Sequence, residues 1–148
     1  MSTLSRGPKG LDALPAYDSF ARRYKAGAPQ VVWTRIVADL ETPVSVYLKL
    51  ALGKPYSLLL ESVEGGASRG RYSVIGLAPD AVWRAHGDTA EINRNPMKTP
   101  DAFKAEATPA LASLRELLAT SRLTLPDELP PMAAGVFGYM GYATVRLI

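Results

Sequence analysis

Apolar positions change period several times along this chain, and each change marks an element. Over residues 15–26, Tyr17, Phe20, Ala21 and Tyr24 recur at helical spacing, while Arg22, Arg23 and Lys25 take the rest of the wheel. That predicts a helix stopped by Gly27 and Pro29. Residues 30–39, QVVWTRIVAD, are rich in β-branched side chains and predict a strand. A second helix carries marks at both ends. Thr42 suits the N-cap, Pro43 suits the first helical position, where its missing N–H is not needed, and Gly53 with Pro55 stops it. Val44, Tyr47, Leu48 and Ala51 or Leu52 form its apolar stripe.

YSLLLES, residues 56–62, holds an unbroken apolar run and predicts a strand buried on both faces. A glycine-rich loop, EGGASRG, separates it from a second strand, RYSVIGL at 71–77. Residues 81–94, AVWRAHGDTAEINR, read as a hairpin turning at Gly87-Asp88, with Val82 and Trp83 before the turn and Ile92 after it. Trp83 and His86 are then sheet residues. Residues 93–107 are polar, contain Pro96 and Pro100, and predict a surface loop. A third helix over 108–123 takes Thr108 as cap and Pro109 at its first position. Leu111, Leu114, Leu118 and the stem of Arg122 form its apolar face, widened by Leu117. LPDELPP, 125–131, is a rigid connector, and GVFGYMGYATVRLI, 135–148, predicts a glycine-spaced strand.

These elements together predict an α+β fold, a mainly antiparallel sheet with two or three packed helices. Residues 1–14 read as a disordered tail and 15–148 as one domain. The last strand meets no stop signal and leaves an open edge. The expectation is the front part of a larger protein, truncated at its C-terminus.

Composition narrows the function. The 148 residues suffice for one domain with a core, and 47% hydrophobic with 21% charged residues is ordinary for a globular protein. There is no cysteine, which excludes disulfides and thiolate chemistry and permits the cytosol. His86 is the single histidine, which counts against a zinc site. No Gly-x-Ser-x-Gly turn accompanies it for a serine hydrolase. The net charge of +3 is scattered; its densest group, Arg22-Arg23-Tyr24-Lys25, lies on a helix face and argues for a solvated surface, not nucleic acid. No apolar run approaches the roughly 20 residues of a membrane span. The first ten residues lack the apolar centre of a secretory signal.

One stretch carries candidate chemistry. From Tyr56 to Gly76 the chain reads YSLLLESVEGGASRGRYSVIG, an apolar strand ending in a carboxylate and a hydroxyl beside a loop with Gly65, Gly66 and Gly70. Glu61 can pair with an ammonium. Ser62 can donate to a carboxylate or accept from an ammonium, and the aliphatic strand can wall an apolar ring. Arg69 and Arg71 can hold a carboxylate or pair with Glu64, the ion pair being favoured, and Tyr72 reads as core. With PQVVWTRIVADLETPVSVYLKL before it and GVFGYMGYATVRLI after it, the stretch resembles the N-terminal region of anthranilate synthase component I over residues 15–148.

That resemblance implies the fold of a larger two-layer chorismate enzyme, with the active site in the cleft between this region and a C-terminal one. It implies a complete enzyme, a carbon-oxygen lyase of the cytoplasm in tryptophan biosynthesis. The enzyme converts chorismate and ammonia to anthranilate and pyruvate with Mg²⁺, and the ammonia comes from a glutamine amidotransferase subunit. The chorismate and Mg²⁺ ligands belong to the C-terminal region, so this chain alone is expected to be inactive. In the family the Leu-Leu-Glu-Ser segment lines the L-tryptophan feedback site, which here implies Leu60, Glu61 and Ser62 as an allosteric half-site. The closing segment departs from the family pattern, with Ala143 where an aspartate is usual. Rival readings are a fragment of aminodeoxychorismate synthase component I, in the folate pathway, and a non-catalytic amino-acid-binding module.

Overall fold

The computed structural model describes residues 12–63 and 69–148, and at 62, 63 and 69–71 it describes the backbone. The fold is α+β, with antiparallel sheets of two and three strands. The described residues divide into two compact units, one within 39–120 and 137–148 and the other within 12–38 and 121–136.

In the larger unit, α1 spans Pro43–Leu50 and begins as the sequence predicts. Thr42 Oγ1 accepts from the Ser45 N–H at 3.1 Å, and Ser45 Oγ accepts from the Thr42 N–H at 2.9 Å, closing a reciprocal capping box. Gly53, at φ +76°, takes the left-handed conformation that ends the helical region. The buried side differs from the predicted stripe. Ala51 is fully buried and Tyr47 half-buried, but Val44 and Leu48 are exposed.

The α1 helix lies against a ribbon of two antiparallel strands, β1 (Leu58–Val63) and β2 (Arg69–Gly76). Leu58 and Leu59, on opposite faces, are both half-buried, but Leu60 is 44% exposed. The strand is therefore not buried on both faces along its length, because among the described residues one neighbouring strand and one short helix do not cover two faces. Tyr72, read from the sequence as core, is 41% exposed. Gly76 faces Leu58 across the pair, and a Cβ there would meet Leu58 Cγ at 3.0 Å.

The predicted hairpin is present as β3 (Val82–His86) and β4 (Thr89–Asn93), turning through Gly87 at φ +55°. Trp83 and His86 are sheet residues, as expected. Arg84 pairs across the strands with Glu91 and sets its guanidinium 3.7 Å from the centre of the Phe103 ring. The segment 93–107 is more than a surface loop. Lys104–Ala105 forms β5 on the far side of β4, which becomes the central strand. Asn93 and Pro96 are buried, because the Asn93 amide donates to the Thr99 and Pro100 carbonyls and accepts from the Asn95 N–H. Asparagine ordinarily marks an exposed turn; here it supplies the hydrogen bonds of a folded-in one.

Helix α2 (Ala110–Thr120) packs on β4. Its first N–H is not capped by Thr108, as the sequence suggests, but by the hairpin turn. The Ala110 N–H reaches the Asp88 backbone carbonyl at 3.0 Å and its Oδ1 at 3.1 Å. The buried face centres on Ala110 and Ser113, with Leu111, Leu114 and Leu117 half-buried and Leu118 exposed. Ser113 Oγ accepts from Trp83 Nε1 at 3.0 Å and donates to Glu106 Oε2 at 3.1 Å.

Residues 135–148 do not form the predicted strand. Tyr142–Leu147 is a 3₁₀ helix after Gly141, and its Thr144 N–H bonds the Gly141 carbonyl. Among the described residues no strand lies beside it, and the 3₁₀ turn pairs its backbone groups locally. Tyr139 and Ile148 are almost wholly exposed.

In the smaller unit, Tyr17–Lys25 forms helix α3, which comes first in the sequence. Phe20 lies between Tyr17 and Tyr24 with ring centres 6.5 and 5.7 Å away. Among the described residues the predicted strand over 30–39 reduces to one bridge, in which Trp33 exchanges two backbone hydrogen bonds with Leu14. Thr34 donates to the Asp12 carbonyl, and Val37 stays 80% exposed. β-branched composition favours a pleated conformation, but a strand needs a partner along its length. Leu14, read as the end of a loose tail, is part of that bridge.

Candidate functional site

The candidate residues lie at the far end of β1. Leu58, Leu59, Leu60 and Glu61 pair in regular register with Gly76, Ile75, Val74 and Ser73. The next pair is Val63 with Arg69, so the register shifts between Glu61 and Val63. One residue on β1, Ser62, faces three on β2, Gly70, Arg71 and Tyr72. Such irregularities bend a strand and re-aim its side chains. Ser62 therefore stands where alternation breaks.

The shift lies beyond Leu60 and Glu61, so it can re-aim Ser62 but does not bring those two side chains onto one face. Side chains alternate across a sheet, so Leu60 and Glu61 belong to opposite faces. Both are exposed. Among the described residues Glu61 makes no ion pair, and its carboxylate is open to solvent at a strand end. An exposed carboxylate can pair with an ammonium, and the exposed Leu60 offers apolar contact on the other side. The side chain of Ser62 lies outside the described residues. So do Glu64, Gly65 and Gly66, and with them the expected pairing of Glu64 with Arg69 or Arg71.

At the other end of β1, sequence reasoning missed two residues. Ser57 directly precedes the strand, and its Oγ lies 3.1 Å from Tyr47 Oη on α1. The signal for this pair was weak, since Tyr47 reads as one more apolar position in a helical stripe.

Comparison with known proteins gives the site its context. Over 135 residues the chain is 47% identical to anthranilate synthase component 1 of Cereibacter sphaeroides, covering 91% of this chain and 27% of that protein. The chain is related to anthranilate synthase component 1. The protein of that name from Synechocystis is 39% identical over 133 residues, 89% of this chain and 25% of its own length. The Pseudomonas aeruginosa protein is 38% identical over 112 residues, 76% of this chain and 22% of its own. The chain thus spans about a quarter of the length of the curated component 1 relatives it matches. No family model matches it. No solved structure matches it either.

Proposed function

We propose that this chain is the N-terminal part of an anthranilate synthase component I and carries the L-tryptophan feedback half-site on β1. The observation that supports this is the similarity to component 1 proteins over 91% of the chain. It includes the strand whose register shifts at Ser62. In this reading the complete protein adds ammonia to chorismate and eliminates pyruvate to give anthranilate. A glutamine amidotransferase subunit supplies the ammonia, and the cytoplasm houses the enzyme. Among the described residues no helix is long and apolar enough to cross a membrane.

In this reading the chemistry and its regulation are divided between two regions of the complete protein. Mg²⁺ would neutralise a substrate carboxylate in such a reaction. Among the described residues no three carboxylate or imidazole side chains converge as cation ligands; in this reading the Mg²⁺ ligands belong to the C-terminal region of the complete protein. The part of this chain is regulatory. Glu61 pairs with the ammonium of L-tryptophan, Ser62 holds the amino-acid end through its hydroxyl, and Leu60 contacts the indole. Effector binding that favours one state of the whole enzyme lowers activity without touching the reacting atoms.

Ser62→Phe tests the proposal in a family-length protein, made by replacing the matching stretch of the Cereibacter sphaeroides relative with this chain. Losing one hydrogen bond and adding a clash is expected to weaken tryptophan inhibition by roughly 30- to 1000-fold. Turnover without tryptophan is expected to stay near normal. Inhibition at unchanged tryptophan concentration would remove Ser62 from the effector site, and loss of basal turnover would make it a structural residue.

A further inference from the structure

We infer that Tyr47 and Ser57 are positioning residues for the effector strand: they fix where β1 starts, and so couple Leu60, Glu61 and Ser62 to the end of α1. The inference rests on the effector reading above for its consequence, but not for its geometry.

Three acceptors and donors converge on one hydroxyl. Ser57 Oγ lies 2.9 Å from the Lys54 carbonyl, 3.3 Å from the Ala51 carbonyl and 3.1 Å from Tyr47 Oη. A serine hydroxyl has one proton to donate. The carbonyls of the turn after α1 can only accept, so when the serine proton goes to one of them Tyr47 donates to Ser57. The chain Tyr47 to Ser57 to Lys54 thereby ties the helix face, the helix end and the residue before Leu58 into one turn. Ala51, whose N–H bonds the Tyr47 carbonyl, is fully buried at its centre.

A second tether holds the same turn from outside. Tyr56 has φ +55°, a backbone region that a bulky side chain seldom adopts. Its hydroxyl donates at 3.4 Å to the Pro100 carbonyl, which also accepts from the buried Asn93 amide at 3.1 Å. Strain of this kind persists only where the surroundings over-determine it. The start of β1 is thus held on one side by α1 and on the other by the segment between β4 and β5. From Leu58 the strand runs through four regular pairs to Glu61, with no irregularity to absorb a displacement before Ser62.

Amide hydrogen exchange on the family-length protein tests the positioning. Ser57→Ala and Tyr47→Phe are each expected to speed exchange in β1 about three- to tenfold while leaving the β3–β4 amides unchanged. Ser57→Thr, which keeps the hydroxyl, is expected to restore protection. Unchanged β1 exchange in both variants, or equal acceleration in all strands, would overturn the inference. In the family-length protein the same two variants are expected to weaken tryptophan inhibition about three- to tenfold, with kcat and the chorismate KM unmoved. If they do not, while Ser62→Phe abolishes inhibition, the coupling is refuted and the effector reading stands. If Ser62→Phe also leaves inhibition intact, the effector reading fails and takes the coupling with it.

Discussion

Ser113 is 1% exposed and sits among half-buried leucines, a costly place for a hydroxyl without partners. It is satisfied in both directions, accepting from the Trp83 indole and donating to Glu106. Replacing it with alanine removes one oxygen and leaves the Trp83 N–H without its acceptor. The expected cost is about 1–3 kcal/mol, the range for an orphaned buried polar group. Urea unfolding checks it: the midpoint should fall while the slope against urea stays constant. A midpoint equal to that of the unmodified chain would mean that water replaces the serine at no cost.

At the scale of the element, α1 is eight residues long, too short to hold itself in water, so its cap and its packing must stabilise it. Thr42→Ala breaks the capping box and is expected to cost about 0.5–2 kcal/mol. Thermal unfolding of the variant measures that loss, and Thr42→Ser should recover most of it. The same helix carries a pH dependence. Glu41 bonds Lys49 and accepts from Ser45 Oγ, and the bond to Lys49, followed by that to Ser45, holds its carboxyl below its ordinary value of 4.5. A carboxyl lowered in the folded state stabilises the fold above its unfolded value, and the contribution disappears as pH falls through the folded value. Lys49→Met should therefore narrow the stability gap between neutral and acidic solution. A stability difference between the two proteins that persists unchanged well below pH 4.5 would contradict this.

For the whole molecule, the buried set is sparse. Among the described residues the buried apolar side chains are Ala51, Ala90, Ile92, Pro96 and Ala110, three of them alanines. Leu60, Tyr72, Val44 and Leu48 on the α1 and β1–β2 elements stay exposed, as do Tyr139, Met140 and Val145. Covering roughly 400 Å² of such surface is worth up to about 10 kcal/mol, comparable to the whole stability of a domain. The isolated chain is therefore expected to be marginally stable or to self-associate, with size-exclusion chromatography and a thermal melt as the readouts. A sharp monomeric peak with a cooperative melt above about 65 °C would count against that. With Mg²⁺, ammonia and chorismate the purified chain is expected to form no fluorescent anthranilate, and its appearance in a sample free of host enzyme would refute the assignment of the chemistry to another region.

Elements whose signals are local were legible in the sequence. The Thr42-Pro43 start of α1, the Gly87-Asp88 turn and the strands in YSLLLES and RYSVIGL are set by capping chemistry, glycine conformation and β-rich runs within a few residues. The similarity of LLLES and its flanks to component I was also legible, because it is a property of residue order alone. What required a distant partner was not. Whether 30–39 and 135–148 are strands depends on a neighbour to take their hydrogen bonds, and among the described residues one has a single bridge and the other a local 3₁₀ turn. The cap of α2 comes from Asp88, 22 positions away, and the partner of Ser113 from Trp83, 30 positions away. For the candidate site, residue types were readable, but only the register shift at Ser62 and the tie of Tyr47 to Ser57 decide how the strand is held. Hydrogen bonds between residues far apart in the chain leave no periodicity to read; tertiary structure alone brings their atoms within reach.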